Sequence, residues 1–331
     1  MRLLVTGGAG FIGSHYVRTM LGGGYRGYEN AEITVLDKLT YAGSVGNVPA
    51  DHPRLTFVHG DVCDRELLAG VLPGHDAVVH FAAESHVDRS VEFSDPFVTT
   101  NVVGTQALLD SCLRAGVQRF VHISTDEVYG SIDEGTWTEE SALLPNSPYA
   151  ASKAAGDLLV RAFHQTHGLH TTITRCSNNY GPYQFPEKVI PLFVTNLLEG
   201  RDVPLYGDGL NVREWVHVDD HCRAVQLVLE SGRPGAVYNI GGTAALTNRR
   251  LTEMLLKLCG AGWDRVTPVE DRKGHDRRYA MDDTRIREEL GYRPLRPFER
   301  GLAETVRWYR DNSEWWRSGR PQAVGPRAAL G

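Results

Sequence analysis

The chain has no apolar run approaching the ~20 residues that a membrane-spanning helix needs. Its opening, MRLLVTGGAGFIG, lacks the long apolar core and small-residue cleavage site of a secretory leader. A cytoplasmic protein with no membrane partner is therefore expected. Cysteine is sparse and scattered: Cys63, Cys112, Cys176, Cys222 and Cys259 are odd in number and never spaced CxxC. That argues against a disulfide framework and a thiolate zinc site, and no metal is expected. There is no basic excess either. Lys and Arg total 35 against 41 Asp and Glu, a net charge of -6, so no nucleic-acid partner is expected. No internal repeat or low-complexity tract interrupts the sequence, and the tail Pro321–Gly331 is expected to fray.

What is present is ordinary globular composition, 41% apolar and 23% charged over 331 residues, long enough for a large core. Short apolar runs at Arg2–Thr6, Glu32–Leu36, Leu55–His59, Ala77–Phe81, Arg119–Ser124 and His170–Cys176 read as strands. Between them, Phe11–Leu21, Asp64–Val71, Pro96–Ala115 and Pro148–His167 read as helices. Such alternation predicts an α/β fold, a Rossmann-like doubly wound parallel sheet covered on both faces. After Cys176 the pattern changes. Strands at Val203–Tyr206, Glu214–His217 and Val237–Ile240 mix with helices at Pro186–Leu198, Asp219–Leu229, Leu246–Cys259 and Phe298–Trp316. The division expected is a dinucleotide-binding domain over 1–176 and a smaller C-terminal α/β substrate lobe over 177–331, with some later segments returning to the main sheet.

Gly7, Gly10 and Gly13 follow the first strand and open a helix. Glycines there allow a tight turn and close approach of a pyrophosphate, to which the helix N-terminus offers free N–H groups. Asp37 closes the next strand and is placed to accept hydrogen bonds from a ribose 2′-OH. Its charge repels a 2′-phosphate, so NAD is expected over NADP. The spacing from Gly13 to Asp37 is somewhat long, and Gly22–Asn30 reads as a loop insertion.

Tyr149 and Lys153 stand four apart at the start of a predicted helix and share a face. An ammonium beside a phenol favours the phenolate, so Tyr149 can serve as general base on an alcohol. Alone, this pair is common by chance; the glycine loop upstream gives it weight.

Together GGAGFIG and SPYAASK resemble the extended short-chain dehydrogenase/reductases. Within them the chain is similar to the dTDP-glucose 4,6-dehydratases, through DKLTYAG (37–43), AAESHVDRS (82–90), STDEVYG (124–130), SPYAASK (147–153), CSNNYGPYQFPEK (176–188) and KGHDRRY (273–279). These segments span nearly the whole chain, and STDEVYG and SNNYGPY are far more specific than the glycine loop. Two departures stand out. The stretch from Gly130 to Ser147 is short, and Lys273 occupies a position where the family usually has proline.

The resemblance implies a role for each motif. Thr125, Asp126 and Glu127 end the strand FVHIS, where open α/β sheets gather catalytic groups. Thr125 would bond the reacting hydroxyl beside Tyr149. Eliminating water from a 4-keto sugar needs a base for the C5 proton and an acid for the C6 hydroxyl, and adjacent carboxyls in a closed site can split their pKa values to provide both. By resemblance Glu127 is the base and Asp126 the acid; the sequence alone leaves open which holds the proton. The cofactor would take hydride from C4 and return it to C6, ending unchanged. Its contacts would include Phe11 and Ile12 in the glycine loop, and Lys38, Leu39 and Thr40 after Asp37. Asp61, Val62, Phe81, Ala82, Ala83, Thr99 and Asn178 would complete them, with Tyr149 and Lys153.

For the sugar nucleotide the resemblance implies Ser85 and Asn179 near the hexose or diphosphate, and Lys188, Arg213, Arg272 and His275 as diphosphate clamps, with Asp276 beside them. Val189, Pro204, Leu205 and Tyr206 would wall the base, and Asn248 would meet a phosphate or ribose. His86 is expected to be structural. The expected substrate is dTDP-glucose; the choice of dTDP over UDP, CDP or GDP rests on resemblance alone. The helices Pro96–Ala115 and Pro148–His167 carry more apolar positions than one sheet face needs, and the family pairs such helices, so a homodimer is expected. Competing readings are another sugar-nucleotide epimerase or dehydratase of the superfamily, and a non-catalytic NAD-responsive binding protein. Asp126 and Glu127 argue against an epimerase, and the intact set of four with Tyr149 and Lys153 against a binding module.

Overall fold

A computed structural model describes residues 1–318; the tail expected to fray lies outside them. The strands are β1 (Arg2–Thr6), β2 (Glu32–Asp37), β3 (Leu55–His59), β4 (Ala77–His80), β5 (Arg119–Thr125), β6 (Thr171–Cys176), β7 (Asn178–Tyr180), β8 (Val203–Tyr206), β9 (Val212–His217), β10 (Val237–Ile240), β11 (Ala244–Thr247) and β12 (Val266–Val269). The helices of the first half are α1 (Phe11–Leu21), α2 (Arg65–Val71), α3 (Val87–Glu92), α4 (Asp95–Val98), α5 (Thr105–Ala115) and α6 (Pro148–His167). Those of the second are α7 (Val189–Leu198), α8 (Val218–Ser231), α9 (Asn248–Cys259), α10 (Thr284–Leu290), α11 (Phe298–Asp311) and α12 (Ser313–Ser318).

Seven strands form one parallel sheet in the order β10-β6-β5-β4-β1-β2-β3. The central strands read as continuous apolar runs because both faces are covered. Leu3 and Val5 pack on one side with Tyr16, Val17 and Met20 of α1 and Val225 and Val228 of α8. Leu4 and Val78 pack on the other with Leu108, Cys112 and Val160 from α5 and α6. The order reverses between β1 and β4, which opens a crevice beyond their carboxyl ends, the place where such sheets bind ligands. A strand of the second half joins this sheet: β10 pairs with β6 at its edge. The remaining strands form a β11-β9-β7 sheet and a β12-β8 pair around a separate apolar cluster of Phe193, Trp215, Leu255 and Phe298.

Several predicted ends shift by one to three residues, as where Pro186–Leu198 begins at Val189, and three helices differ for reasons that can be named. The segment read as one helix over Pro96–Ala115 is α4, a wide π turn over Thr99–Gly104, and α5. Asn101 holds that turn: its side chain accepts from Glu84 N at 2.9 Å and donates to Glu84 O at 3.0 Å and to Ser152 Oγ at 2.9 Å. The helix over Leu246–Cys259 starts two residues later, because 244–247 pair with β9 and Thr247 caps the helix. The helix over Phe298–Trp316 breaks at Asn312, whose side chain donates to Trp308 O at 2.9 Å.

Candidate active site

A cavity of about 640 Å³ runs from the glycine loop, across the carboxyl ends of β4 and β5, to the walls formed by β8 and the 272–279 segment. Its dinucleotide end is made by backbone. Gly7 has φ +69°, and a Cβ there would lie 2.5 Å from Ala82 N; one on Gly13 would lie 2.3 Å from Gly7 O. Both positions therefore demand glycine. Gly10 caps α1 without a side chain, leaving the helix N-terminus bare toward the cavity. Asp37 is held by two N–H donors, Ala9 at 2.9 Å and Leu39 at 2.8 Å. Its carboxylate is pushed up by burial, against those bonds, and still has lone pairs for a ribose diol. Lys38 Nζ sits 2.6 Å from Asp61 Oδ2. Asn178 offers a buried Oδ1 without a partner in the cavity wall. Bare helix N–H groups, a carboxylate for a diol and an unpartnered amide oxygen fit a dinucleotide.

The reacting end lies where β5 passes into a 3-10 turn at Asp126–Tyr129. Helix α6 is fixed beside it by its ends: Ser147 accepts from Ala150 N at 3.1 Å, Pro148 occupies the first turn, and Gly168 closes it at φ 69°. This brings Tyr149 and Lys153 into one cavity wall with Thr125. Thr125 Oγ1 donates to Asp126 Oδ1 at 3.2 Å and accepts from Glu127 N at 3.3 Å.

Electrostatics separate the two carboxyls. Asp126 is 3% exposed, and its Oδ2 has no partner. Burial first, then the charges of Glu127 and Glu214, hold it well above the usual carboxylate range. Glu127 is raised by burial too, but Lys188 and Arg213 draw it down. Asp126 is thus the better proton holder and Glu127 the better proton acceptor. The basic partner behaves differently from expectation. Lys153 Nζ donates to Ile123 O at 2.7 Å, and burial lowers its pKa to about 8. In the protein alone the Tyr149 phenol is pushed well up, by burial and by Glu127, so the shift toward neutrality expected from Lys153 is not seen.

The nucleotide-side residues are held mostly by long-range side-chain contacts. Lys188 Nζ donates to Ser85 O at 2.6 Å. Arg213 donates to Asp276 O at 2.8 Å and lies over the Tyr279 ring. Arg272 donates to Asp88 Oδ2 at 3.0 Å, and His275 pairs with Asp271 at 2.6 Å. Val189, Pro204, Leu205, Tyr206 and Asn248 line the same end, with Asn179 nearer the middle. Asn179 Oδ1 is already engaged with His221 Nδ1 at 2.9 Å. The two departures from the family pattern meet here: Asn146 donates to Asp276 Oδ1 at 2.6 Å, and a Cβ on Gly274, next to Lys273, would lie 3.0 Å from Asn146 O.

Two expected cofactor residues fall elsewhere. Thr100, not Thr99, faces the cavity; Thr99 is exposed, and its carbonyl accepts from the Cys63 thiol. The π turn adds a residue to the helical repeat, and within it Thr100 meets the cavity, one place beyond the residue that the resemblance implied. Leu39 (φ 53°) acts through its N–H on Asp37 and is not in the wall. His86 does cap α3, accepting from Arg89 N, yet it also lines the cavity. Gln184, Phe185 and Glu187 line it as well; they stand inside the segment CSNNYGPYQFPEK and were within reach of that motif. Tyr279 gave no such signal beyond its place in KGHDRRY. Among the described residues, no three or more His, Cys, Asp or Glu gather to hold a metal.

Residues 4–305 match the GDP-mannose 4,6 dehydratase family model. The chain is 62% identical to a dTDP-glucose 4,6-dehydratase of Streptomyces antibioticus, over 99% of this chain and 98% of that one. A second relative of that description, from Streptomyces niveus, is 61% identical over 96% and 95%. Among solved structures, the dTDP-glucose 4,6-dehydratase DesIV of Streptomyces venezuelae, with NAD and dTDP bound, superposes with a TM-score of 0.95 at 63% identity, covering 97% of this chain and all of that one. A UDP-glucose 4-epimerase of Thermotoga maritima shares the fold at a TM-score of 0.87 and 33% identity, over 95% of this chain and all of that one. With full-length identity at this level, the chain belongs to the dTDP-glucose 4,6-dehydratase family.

Proposed function

We propose that this chain is an NAD-dependent hydro-lyase that converts dTDP-glucose to dTDP-4-keto-6-deoxyglucose in deoxysugar biosynthesis. The observation that carries this reading is the unequal carboxyl pair beside Tyr149. The epimerase shares the fold, so the fold does not decide the reaction; an acid and a base set next to each other answer the specific need of a C5–C6 elimination.

NAD, when bound, would supply the hydride acceptor for C4 and the hydride donor for C6. Tyr149 takes the C4 hydroxyl proton, with Thr125 in the same wall to bond that hydroxyl. Lys153 keeps a positive charge behind that centre. Once C4 is a ketone, the C5 proton is acidic, and Glu127, drawn toward its ionised form by Lys188 and Arg213, removes it. Asp126, held protonated by burial, gives its proton to the departing C6 hydroxyl. Lys188, Arg213 and Arg272 neutralise the diphosphate. Asp37 favours NAD over NADP, since a 2′-phosphate would bring negative charge against a buried carboxylate.

The exposed apolar residues Phe93, Val98, Val103 and Leu158 belong to the α3–α6 region, as a homodimer through the α5–α6 face would require; the solution mass at micromolar concentration checks it. A cytoplasmic location is supported by five thiols, none in a disulfide, and no described helix is long and apolar enough to cross a membrane. The reading is tested by incubating the protein with dTDP-, UDP-, CDP- and GDP-hexoses. A 4-keto-6-deoxy product from dTDP-glucose is expected; a C4-epimerised sugar without dehydration would overturn the assignment.

A further inference from the structure

The last described helix reaches back to the loop between β2 and β3. Trp316 Nε1 donates to Tyr309 O at 2.7 Å, which pins α12 onto α11. Trp315, its neighbour, points the other way and donates from Nε1 to Asn47 Oδ1 at 2.9 Å, across 268 positions of sequence. Asn47 is 2% exposed, and its Nδ2 donates to Ala9 O at 2.8 Å. Ala9 lies between the loop glycines and donates its own N–H to Asp37 Oδ2 at 2.9 Å. The chain Trp315–Asn47–Ala9–Asp37 thus runs unbroken from the C-terminal helix to the carboxylate read as the ribose acceptor. Ser44 N also donates to Ala9 O at 3.1 Å, so the 38–48 loop is drawn onto the glycine turn at two points. A ring stack closes the same corner. Tyr183 packs on Trp308 at 4.5 Å and on Trp315 at 5.4 Å, and the Arg18 guanidinium lies 4.0 Å over Tyr183. Tyr183 itself has φ 67° and precedes Gln184 and Phe185 in the cavity wall.

We infer that Asn47 and Trp315 are positioning residues that clasp the 38–48 loop and the glycine turn together and so retain the dinucleotide, acting through Ala9 and Asp37 without touching it. The inference rests on reading the Gly7–Asp37 cradle as the NAD site. Its chemical sense follows from the proposed reaction: the dinucleotide is regenerated in each turnover, so a site that keeps it gains over one that exchanges it. Neither residue lies in the cavity wall, so the chemistry at Tyr149 and Glu127 is left intact by their loss.

The test measures release of NAD. Wild type, Trp315→Phe, Asn47→Ala and the double variant are loaded with isotopically labelled NAD, challenged with excess unlabelled NAD, and passed through gel filtration at intervals. Trp315→Phe keeps an aromatic ring in the stack while removing the N–H and one ring of the indole; melting temperatures recorded alongside separate the packing loss from the release of NAD. Each single change is expected to speed release roughly tenfold, and the double variant no more than the faster single, because both break one chain. Turnover at saturating added NAD should stay near wild type. Unchanged release with a lowered melting temperature would mean that the contacts are structural only, and multiplicative effects in the double would mean that the residues act separately; either overturns the inference. A wild-type protein that holds no labelled NAD would instead overturn the cradle reading, and the inference with it.

Discussion

The cavity floor, built from the strand ends of residues 1–176, and its roof, built from the walls between 177 and 279, are held by different means. On the floor, position is set by backbone. Gly7 and Gly13 fit because no Cβ could, Asp37 hangs on two N–H groups, and α6 is locked by Ser147 and Gly168. On the roof, position is set by side chains that reach across the molecule: Arg272 to Asp88, Lys188 to Ser85, and Asn146 to Asp276. Backbone placement is rigid and intolerant of substitution. Pairs such as Arg272 with Asp88 are partly exposed and give way more gently. Changes to the floor should therefore act on the chemical step, and changes at the open Arg272–Asp88 pair of the roof mainly on substrate affinity, whereas Lys188 and Arg213 also bear on Glu127.

The largest effect should come from Tyr149→Phe. Loss of the proton acceptor should cut turnover by about 10³-fold or more while nucleotide-sugar binding, measured by calorimetry, is kept. Near-normal turnover would remove Tyr149 as the base. Next comes the carboxyl pair. Glu127→Gln should still oxidise C4 but lose elimination by about 10²–10⁴-fold. Bound NADH should then accumulate on mixing, seen as near-ultraviolet absorbance, and solvent deuterium should stay out of C5. Asp126→Asn should retain C5 exchange yet lose the C6 hydroxyl poorly. If both variants formed product at the wild-type rate, the acidic turn would be structural, and an epimerase or reductase would be the better reading.

The pH profile probes the floor more gently. Lys153 is expected to act as a cation, and its pKa is lowered to about 8. Activity should therefore hold below that value and fall as pH rises through it, giving kcat/KM an alkaline limb near 8. A profile flat to pH 10 would mean that the Lys153 charge does not matter.

The same contrast explains what the sequence made legible. Local rules write most of the floor: β1, α1, β3 and α6 span the residues that periodicity predicted, as do β8 and β10 beyond it. The glycine turn, Asp37 and the Tyr149–Lys153 pair were readable because each is a short-range pattern with a physical reason. Where a long-range contact overrode the local pattern, the reading slipped. Asn101, tied to Glu84 and Ser152, widened a helix turn and exchanged Thr99 for Thr100 in the wall. The placing of Lys153 against Ile123 O, and of Asp126 beyond reach of any partner for its Oδ2, depends on packing that no spacing encodes. Roof residues such as Arg213 and Arg272 came only through resemblance, since a lone arginine carries no local signature.

The smallest effect should come from Asp88, and it tests the roof alone. Arg272 faces Asp88 with Nη2 at 3.0 Å from Oδ2, on a pair whose side chains are 27% and 38% exposed. A pair this open is worth little to stability, roughly 0–1 kcal/mol, so Asp88→Asn should leave the melting temperature nearly unchanged. Its consequence should fall on binding. With Asp88 present, Arg272 has an anion before the diphosphate arrives, and binding must compete with that pairing; with asparagine, the guanidinium keeps a hydrogen-bond partner but no opposing charge. The KM for dTDP-glucose should then fall by about 2- to 5-fold, a shift of roughly 1 kcal/mol or less, with kcat unaltered. Arg272→Met should do the reverse, raising KM by roughly tenfold or more through loss of a charge-assisted contact, also with little change in kcat. In the double variant Asp88→Asn should bring no benefit, because there is no guanidinium left to release. A fall in kcat in either single variant would mean that the Arg272–Asp88 pair, like Lys188 and Arg213, shapes the reacting end, and its assignment to substrate affinity alone would fail.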